Sequence, residues 1–461
     1  MSRVLLINPP SPFSAASPPL GLSYLAASLL EGGHEVQVCD LAARFPPSRE
    51  DLVGLLEAWR PALVGVTLYT EVALATYDLV ATLPRGEALW VAGGVHATAQ
   101  PAEPLRFGFA VTVRGEGELT LRELADLLDR GTSGPDLLPA VPGLSWRDSS
   151  GELRATADRP RLQDLDALPP PHRAGALFPR RWYLPDGVGS LAVSLLTSRG
   201  CAGRCTFCSN EVTGRQPRLH SPARVLAELL ALRQREGQVT CSFHDDAFTA
   251  DRPRLLQLCR LFREQLTPRP VWWCESRVDG FDAEIAGPMR EAGCRAVAFG
   301  VESGDPGVLR RIGKQITPEQ VLAAFAAARG AGLLTHANIM FGFPGETEEE
   351  LGQTLRLMER LAPHTTSFGA LGLLVPYPGT AIYRRHAVEY GFTEWWLDRP
   401  RVSRLNRPFL ELEQGLTTAE QWPALQQQLE TALLDVDFFR YPDGVRRRIE
   451  EGLAFRRGYR P

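Results

Sequence analysis

The sequence predicts an α/β protein built twice over: a doubly wound parallel-sheet domain, then a partial (β/α)6 barrel, then a short C-terminal helical region. Three observations predict it. Short apolar runs alternate with helical stretches from Arg3 to Leu128, which implies parallel strands covered on both faces. A second alternation, of six strand–helix units, begins near Leu191. Between the two lies a stretch rich in Pro, Gly and Ser, and 461 residues exceed one ordinary domain.

The first strand is the apolar run Arg3–Asn8, followed by a Pro-rich loop from Pro9 to Pro19 and a helix over Leu20–Glu31. Glu35–Asp40 is the second strand, and Ser48–Trp59 a helix opened by a serine cap. Leu63–Leu68 is the third strand, with Val72–Leu83 helical after it. Leu89–Ala92 is the fourth and ends at Gly93-Gly94. Ala110–Arg114 is the fifth, followed by Gly115-Glu-Gly-Glu118 and a helix through Leu128. Residues 1–130 form this domain, and its ligand site belongs beyond the C-terminal strand ends. Residues 131–190 read as a linker with a small hairpin (Gly143–Trp146 and Leu153–Ala155) before Leu168-Pro-Pro-Pro171. The barrel spans residues 191–390. Its strands are Ala192–Thr197, Thr240–His244, Val271–Glu275, Ala296–Val301, Thr335–Phe341 and Phe368–Val375, with helices opening at Pro222, Arg252, Asp282, Pro318 and Glu348. Its chemistry belongs at the C-terminal strand ends. Residues 391–461, with Trp395-Trp396 and an Arg-rich end, form a cap or tail.

A net charge of −4 carries no basic footprint for nucleic acid. The most apolar stretch, Ala62 to Leu83, is broken by Glu71 and Asp78, so no membrane span is expected. The start is too short for a signal peptide and reads as a strand. Cys39, Cys241, Cys259, Cys274 and Cys294 lie inside predicted elements, as buried thiols rather than a disulfide framework. Lys314 is the lone lysine among 50 basic residues and reads as compositional bias.

The other three cysteines carry the chemistry. Cys201, Cys205 and Cys208, in Ser198-Arg-Gly-Cys-Ala-Gly-Arg-Cys-Thr-Phe-Cys-Ser209, form a C-x3-C-x2-C loop. Three thiolates so spaced can hold three irons of a [4Fe–4S] cluster and leave the fourth open. Structural zinc would want a fourth Cys or His nearby, and only His220 is a candidate. With its flanking residues, the motif resembles that of the radical S-adenosylmethionine (SAM) family. There the open iron chelates the amino and carboxylate groups of SAM, and reductive cleavage releases a 5′-deoxyadenosyl radical. The resemblance implies cytoplasmic work with an external electron donor of the flavodoxin or ferredoxin type.

It also assigns SAM-side residues. His244-Asp-Asp-Ala-Phe248 offers Asp245 and Asp246, undivided, to the SAM ammonium; the alternative is a solvated acidic turn. Arg277 offers a guanidinium to the carboxylate, or else makes a structural ion pair. Phe299-Gly-Val-Glu-Ser-Gly304 matches the ribose-side segment, with Glu302 and Ser303, and Gly300 and Gly304 allowing close approach. Gly345, in Gly342-Phe-Pro-Gly-Glu346, and Pro376, in Val375-Pro-Tyr-Pro-Gly-Thr380, match adenine-side segments; Gly345 serves equally as a helix-start turn. Phe207 matches the aromatic between the last two cysteines.

The first domain has its own resemblance. Asn8-Pro-Pro10, Pro19-Leu-Gly-Leu22, Gly93-Gly-Val-His-Ala-Thr98 and Arg114-Gly-Glu-Gly-Glu118 resemble the Rossmann-like cobalamin (B12)-binding domain of the B12-dependent radical SAM group. That resemblance places Thr67, Gly93 and Gly94 beside the nucleotide tail of cobalamin. The loop from Pro9 to Pro19 holds no cobalt-ligating His, and His96 is read as a polar lining residue. The alternative is an inherited module that binds no cobalamin. The implied function is hydrogen abstraction from an unactivated carbon of a small molecule, leading to cobalamin-dependent C-methylation. The runner-up is dehydration of the kind found in aminoglycoside antibiotic biosynthesis, epimerisation or cyclisation. A cobalamin or cluster sensor is the distant third. Substrate and catalytic residues carry no motif.

Overall fold

The computed structural model describes residues 1–11, 17–131, 138–183, 192–237, 240–369, 372–403, 434 and 438–458. Parts of the loop after Asn8, of the expected strand Phe368–Val375 and of the expected tail 391–461 therefore lie outside the described residues. The chain divides into two compact units. One comprises Met1–Ser194, Asn210–Gly214 and Trp396–Arg399; the other comprises Leu195–Ser209, Arg215–Trp395 and Pro400–Pro461.

In the first unit β1 (Arg3–Asn8), β2 (Glu35–Asp40), β3 (Leu63–Thr67), β4 (Leu89–Gly93) and β5 (Val111–Val113) pair in parallel, in the order β2-β1-β3-β4-β5. The connecting helices are α1 (Leu20–Glu31), α2 (Arg49–Trp59), α3 (Ala73–Ala81), α4 (Val95–Ala99) and α5 (Glu118–Asp129). The order reverses between β1 and β3, which opens a crevice at their C-terminal ends, where doubly wound sheets bind ligands. Val4, Leu5, Leu6 and Ile7 of the central strand are at most 1% exposed. A strand covered on both faces must read as an unbroken apolar run, as this one does. α2 starts where the Ser48 side chain accepts from the Asp51 N–H and the Asp51 carboxylate accepts from the Ser48 N–H.

The hairpin expected in the linker belongs to this sheet instead. β6 (Leu144–Arg147) and β7 (Leu153–Ala155) add antiparallel to β5. They satisfy an edge that β5 would otherwise leave open to stray pairing. The unit accordingly runs to Ser194 rather than to 130, and it takes in Trp396–Arg399 from the expected tail.

The second sheet has the order β15-β14-β13-β12-β11-β8. Its strands are β8 (Ala192–Leu195), β11 (Thr240–Phe243), β12 (Val271–Ser276), β13 (Cys294–Glu302), β14 (Leu334–Ile339) and β15 (Ser367–Gly369), parallel from β11 through β15. The short antiparallel pair β9 (Ser198–Arg199) and β10 (Arg218–Leu219) brackets the cysteine loop at its base. The helices are α6 (Pro222–Glu236), α7 (Arg252–Gln265), α8 (Ala283–Glu291), α9 (Pro306–Arg311), α10 (Pro318–Gly330), α11 (Glu348–Leu361), α12 (Ala381–His386) and α13 (Asp443–Gly458). Ser221, Asp251, Asp282, Asp305, Thr317, Thr347 and Thr380 each accept a first-turn N–H. The sequence reading passes over α9, because six residues are too few to show a helical period. Phe299 of β13 packs on Phe281 and on Phe325 of α10, so the opposite face of the strand, with Ala298 and Gly300, is turned away from the helices. No helix among the described residues is long and apolar enough to cross a membrane.

Candidate functional site

Three of the cysteines stand apart from the rest. Cys201 and Cys205 are half-buried and Cys208 is exposed, whereas Cys39, Cys241, Cys259, Cys274 and Cys294 are buried. Burial pushes the Cys241 and Cys259 thiols up to about 12, so neither offers a thiolate. The cysteine loop is pinned on both sides of Thr206. The Thr206 N–H donates to the Ile312 carbonyl at 2.8 Å, and the Thr206 carbonyl accepts from the Ile382 N–H at 3.0 Å. Gly313, at φ +72°, lies under the loop; a Cβ there would stand 2.5 Å from the Arg204 carbonyl. Burial raises the Cys205 thiol, while the nearby cations Lys314 and Arg277 oppose that rise. Among the described residues no three His, Cys, Asp or Glu side chains gather as the ligands of one ion would. A cubane differs, since its irons are separate and each of three takes one thiolate. Three accessible thiols on one pinned loop, with cations beside them, fit that group.

The two aspartates, left undivided by the sequence, are separated by the structure. Asp245 is 1% exposed and turned into the fold. It accepts from the Thr197 N–H and hydroxyl and from the Ser198 hydroxyl, while Arg254 donates to the Thr197 carbonyl at 2.8 Å. These contacts brace the strand leading into the cysteine loop and leave Asp245 no room for SAM. Asp246 is exposed and accepts from the Gly200 N–H at 3.1 Å. Desolvation first, then Cys205 and Asp246, raise the Cys208 thiol. Asp246→Asn is therefore expected to weaken SAM binding about 10- to 100-fold, from a charged hydrogen bond of about 1.5–3 kcal/mol, with iron content intact. Asp245→Asn should instead lower iron retention. Parallel SAM titrations and iron assays check the division; equal effects in both variants would refute it.

Arg277 makes a bidentate pair with Asp279 at 2.8 and 3.0 Å and donates to the Lys314 carbonyl at 2.9 Å. Its remaining nitrogen lies 3.4 Å from where a Gly203 Cβ would stand. Glu302 ends β13 at φ +70°, after a register shift, in a conformation that costs about 1–3 kcal/mol in a residue with a side chain. It is 7% exposed and pairs at 2.9 Å with Lys314, itself 6% exposed. Gly300 makes room for that pair: a Cβ there would stand 2.6 Å from the Lys314 Nζ and 2.7 Å from the Glu302 Oε1. Ser303 is buried and engaged with Thr354 at 3.0 Å. Gly304 approaches α11, not a ligand, with a Cβ only 2.6 Å from the Gln353 carbonyl.

Gly345 is exposed, at φ +72° with nothing within 4 Å of a Cβ. Behind it Glu346 accepts from the N–H groups of Gly342 and Phe343 at 2.8 and 3.1 Å, and burial pushes its carboxyl up to about 8. Phe207 meets Phe343 of this turn at 5.9 Å, which joins the cysteine loop to the glycine turn. Pro376 is buried and accepts from the Trp395 indole at 3.0 Å. Two charged groups at this face escaped the sequence reading. Glu275 lies near the end of β12, and its carboxyl is raised first by desolvation within the site, then by Asp246 and Glu302. Lys314, which reads as compositional bias in the sequence, is the second. Its signal was its singularity.

In the first unit, Leu68 N–H donates to the Gly93 carbonyl at 2.8 Å, and the Thr67–Thr70 and Gly93–His96 segments lie together at the sheet's C-terminal end. Gly94 is required by the fold itself: at φ +96°, its Cβ would stand 2.8 Å from the Thr67 Oγ1. Gly93 has space, its nearest neighbour being the Val113 Cβ at 3.9 Å. Phe45 and Tyr69, on the loops after β2 and β3, and Val95, which opens α4 after β4, are 40%, 39% and 52% exposed. Exposed apolar side chains at this end of a doubly wound sheet fit a broad ring like a corrin. His96 lines nothing. It has no exposed surface and both ring nitrogens are engaged, which also removes it as a cobalt ligand.

A doubly wound ligand domain joined to a six-stranded barrel with an accessible three-cysteine loop defines a cobalamin-binding radical SAM protein. The radical SAM superfamily model matches residues 195–358 and the B12 binding domain model residues 13–125. The uncharacterized methyltransferase PH0819 of Pyrococcus horikoshii is 34% identical over 393 residues, covering 83% of this chain and 82% of that protein. Cytidylyl-2-hydroxyethylphosphonate methyltransferase of Streptomyces wedmorensis is 27% identical, covering 85% and 83%. The anaerobic magnesium-protoporphyrin IX monomethyl ester cyclase of Rubrivivax gelatinosus is 26% identical, covering 83% and 69%. The structure of the cobalamin-dependent radical enzyme OxsB with aqua-cobalamin and SAM bound matches with a TM-score of 0.68 at 19% identity, a likeness of fold. It covers 87% of this chain but only 56% of OxsB. The chain belongs to the B12-binding radical SAM enzymes, whose cofactors are a [4Fe–4S] cluster, SAM and cobalamin.

Proposed function

We propose that this enzyme transfers a methyl group to an unactivated carbon of a small molecule, with cobalamin as carrier. The observation that carries the reading is the relative at 34% identity, named a methyltransferase and matched over 82% of its length. When bound, the cluster supplies the electron that cleaves SAM, and cobalamin supplies the methyl group. Cys201, Cys205 and Cys208 hold the cluster. Asp246 and Glu275 accept from the SAM ammonium, which relieves the mutual repulsion of the carboxylates at the ends of β11, β12 and β13. Lys314 and the free edge of Arg277 face the SAM carboxylate. Glu302, held by Lys314, accepts from the ribose, and Gly345 leaves space beside the adenine. Thr67 and Gly93 border the nucleotide tail of cobalamin.

The cyclase relative favours a second reading, hydrogen abstraction without methyl transfer. One substrate-free experiment separates the two. Reconstituted, reduced enzyme is given SAM with and without cobalamin. Methyl transfer predicts S-adenosylhomocysteine only in the cobalamin-loaded sample, beside 5′-deoxyadenosine. 5′-Deoxyadenosine alone, at the same rate in both samples, would establish the second reading.

A further inference from the structure

The two ligand-facing loops of the first unit are tied from behind by one buried network, and one of its donors comes from the C-terminal part of the chain. The His96 Nδ1 lies 3.0 Å from the Thr70 hydroxyl, on the loop after β3, and its Nε2 lies 3.0 Å from the Glu103 carboxylate. Glu103, 4% exposed, also accepts from the Tyr77 hydroxyl at 2.9 Å and from the Trp396 indole N–H, at 3.0 Å to one oxygen and 2.9 Å to the other. The Trp396 ring is fully buried and stands edge-on to His96, with centroids 5.1 Å apart. Outside, Arg399 holds Asp78 of α3 at 2.7 and 3.0 Å.

A buried carboxylate is tolerated only while donors fill its acceptor sites. Here those donors include His96, Tyr77 and Trp396, so the orientation of Glu103, and through it of His96, depends on the indole. His96 in turn fixes both loops. Its backbone N–H donates to the Leu68 carbonyl at 3.2 Å, its ring holds Thr70, and Gly94, two residues before it, abuts Thr67 and Leu68. A shift of the imidazole therefore shifts Thr67–Thr70 and Gly93–His96 together, the two segments that border the crevice.

We propose that Trp396 is a positioning residue for cobalamin: through Glu103 and His96 it holds the loops after β3 and β4 in their binding arrangement. It touches neither cofactor nor reacting atoms. The four residues Trp396–Arg399 thus make the first unit's binding site depend on a segment remote in sequence.

The test uses the full chain with its cluster reconstituted, titrated with hydroxocobalamin by visible absorbance and separately with SAM. Trp396→Phe keeps the ring and removes the N–H. It should weaken hydroxocobalamin binding about tenfold or more, equivalent to about 1.4 kcal/mol, with SAM affinity unchanged. Thr70→Val, which releases the other side of His96, should act in the same direction. Arg399→Ala should bind as the unaltered chain does, since exposed ion pairs contribute little. Unchanged hydroxocobalamin affinity in Trp396→Phe would overturn the assignment, and so would an equal loss of SAM affinity, which marks a general loss of structure. If Trp396→Phe does not fold, Thr70→Val decides: weakened cobalamin binding with intact SAM binding supports the assignment, and wild-type binding overturns it. An unaltered chain that binds no hydroxocobalamin removes the cofactor from this domain and the assignment with it.

Discussion

Replacing any one of Cys201, Cys205 or Cys208 by Ala should abolish the cluster's charge-transfer absorbance and reductive SAM cleavage together. Three of the four irons would each have one protein thiolate, so the loss of any one thiol would strip an iron of its protein ligand. The five other cysteines behave differently. They are buried, and the burial that pushes Cys241 and Cys259 up to about 12 also keeps them from iron. Their Ala variants should lose some packing energy and keep a full cluster. Iron and sulfide content, visible absorbance and 5′-deoxyadenosine yield decide it. A loop variant with a full cluster and wild-type yield would falsify the ligand assignment.

The second large effect is expected at Lys314→Met. Lys314 and Glu302 are 6% and 7% exposed, so removing the cation leaves a carboxylate buried and unpaired, a change that costs about 3–5 kcal/mol in such pairs. The loss should appear as a lower midpoint in urea. SAM affinity should fall as well, because Glu302 is held in its left-handed conformation with Lys314 as partner. Adding Glu302→Gln to Lys314→Met removes the stranded charge, so stability should recover while SAM affinity stays low. Recovery of both, or of neither, would show that the pair does not act this way. Lys314→Arg is not a neutral control, since Gly300 leaves space for a compact ammonium rather than a planar fork.

Much of the fold was legible because local chemistry repeats at every turn of it. Ser48, Ser221, Asp251, Asp282, Thr317 and Thr347 mark helix starts, since a short oxygen-bearing side chain caps orphan N–H groups wherever it stands. β1 reads as an unbroken apolar run because it is buried on both faces. β6 and β7 carry no comparable mark. Their place on β5 is a long-range pairing, and a polar hairpin looks the same in a linker as at a sheet edge.

The sequence by itself determined the order of elements, the cysteine loop and the segments facing it, because propensity, capping and ligand spacing act between near neighbours in the chain. Only the tertiary structure decided which of those side chains are available. Asp245 and Asp246 are adjacent and chemically identical, yet one is turned into the brace beneath the cysteine loop and the other is exposed and held by the Gly200 N–H. Gly94 and Gly304 read as openings for ligands and serve the fold's own close approaches. Lys314 is singular in composition, but its partner Glu302 is set by the turn after α9 returning to the end of β13. The reason is physical: burial and partnership depend on what the rest of the chain places around a side chain, and that is a property of the packed whole.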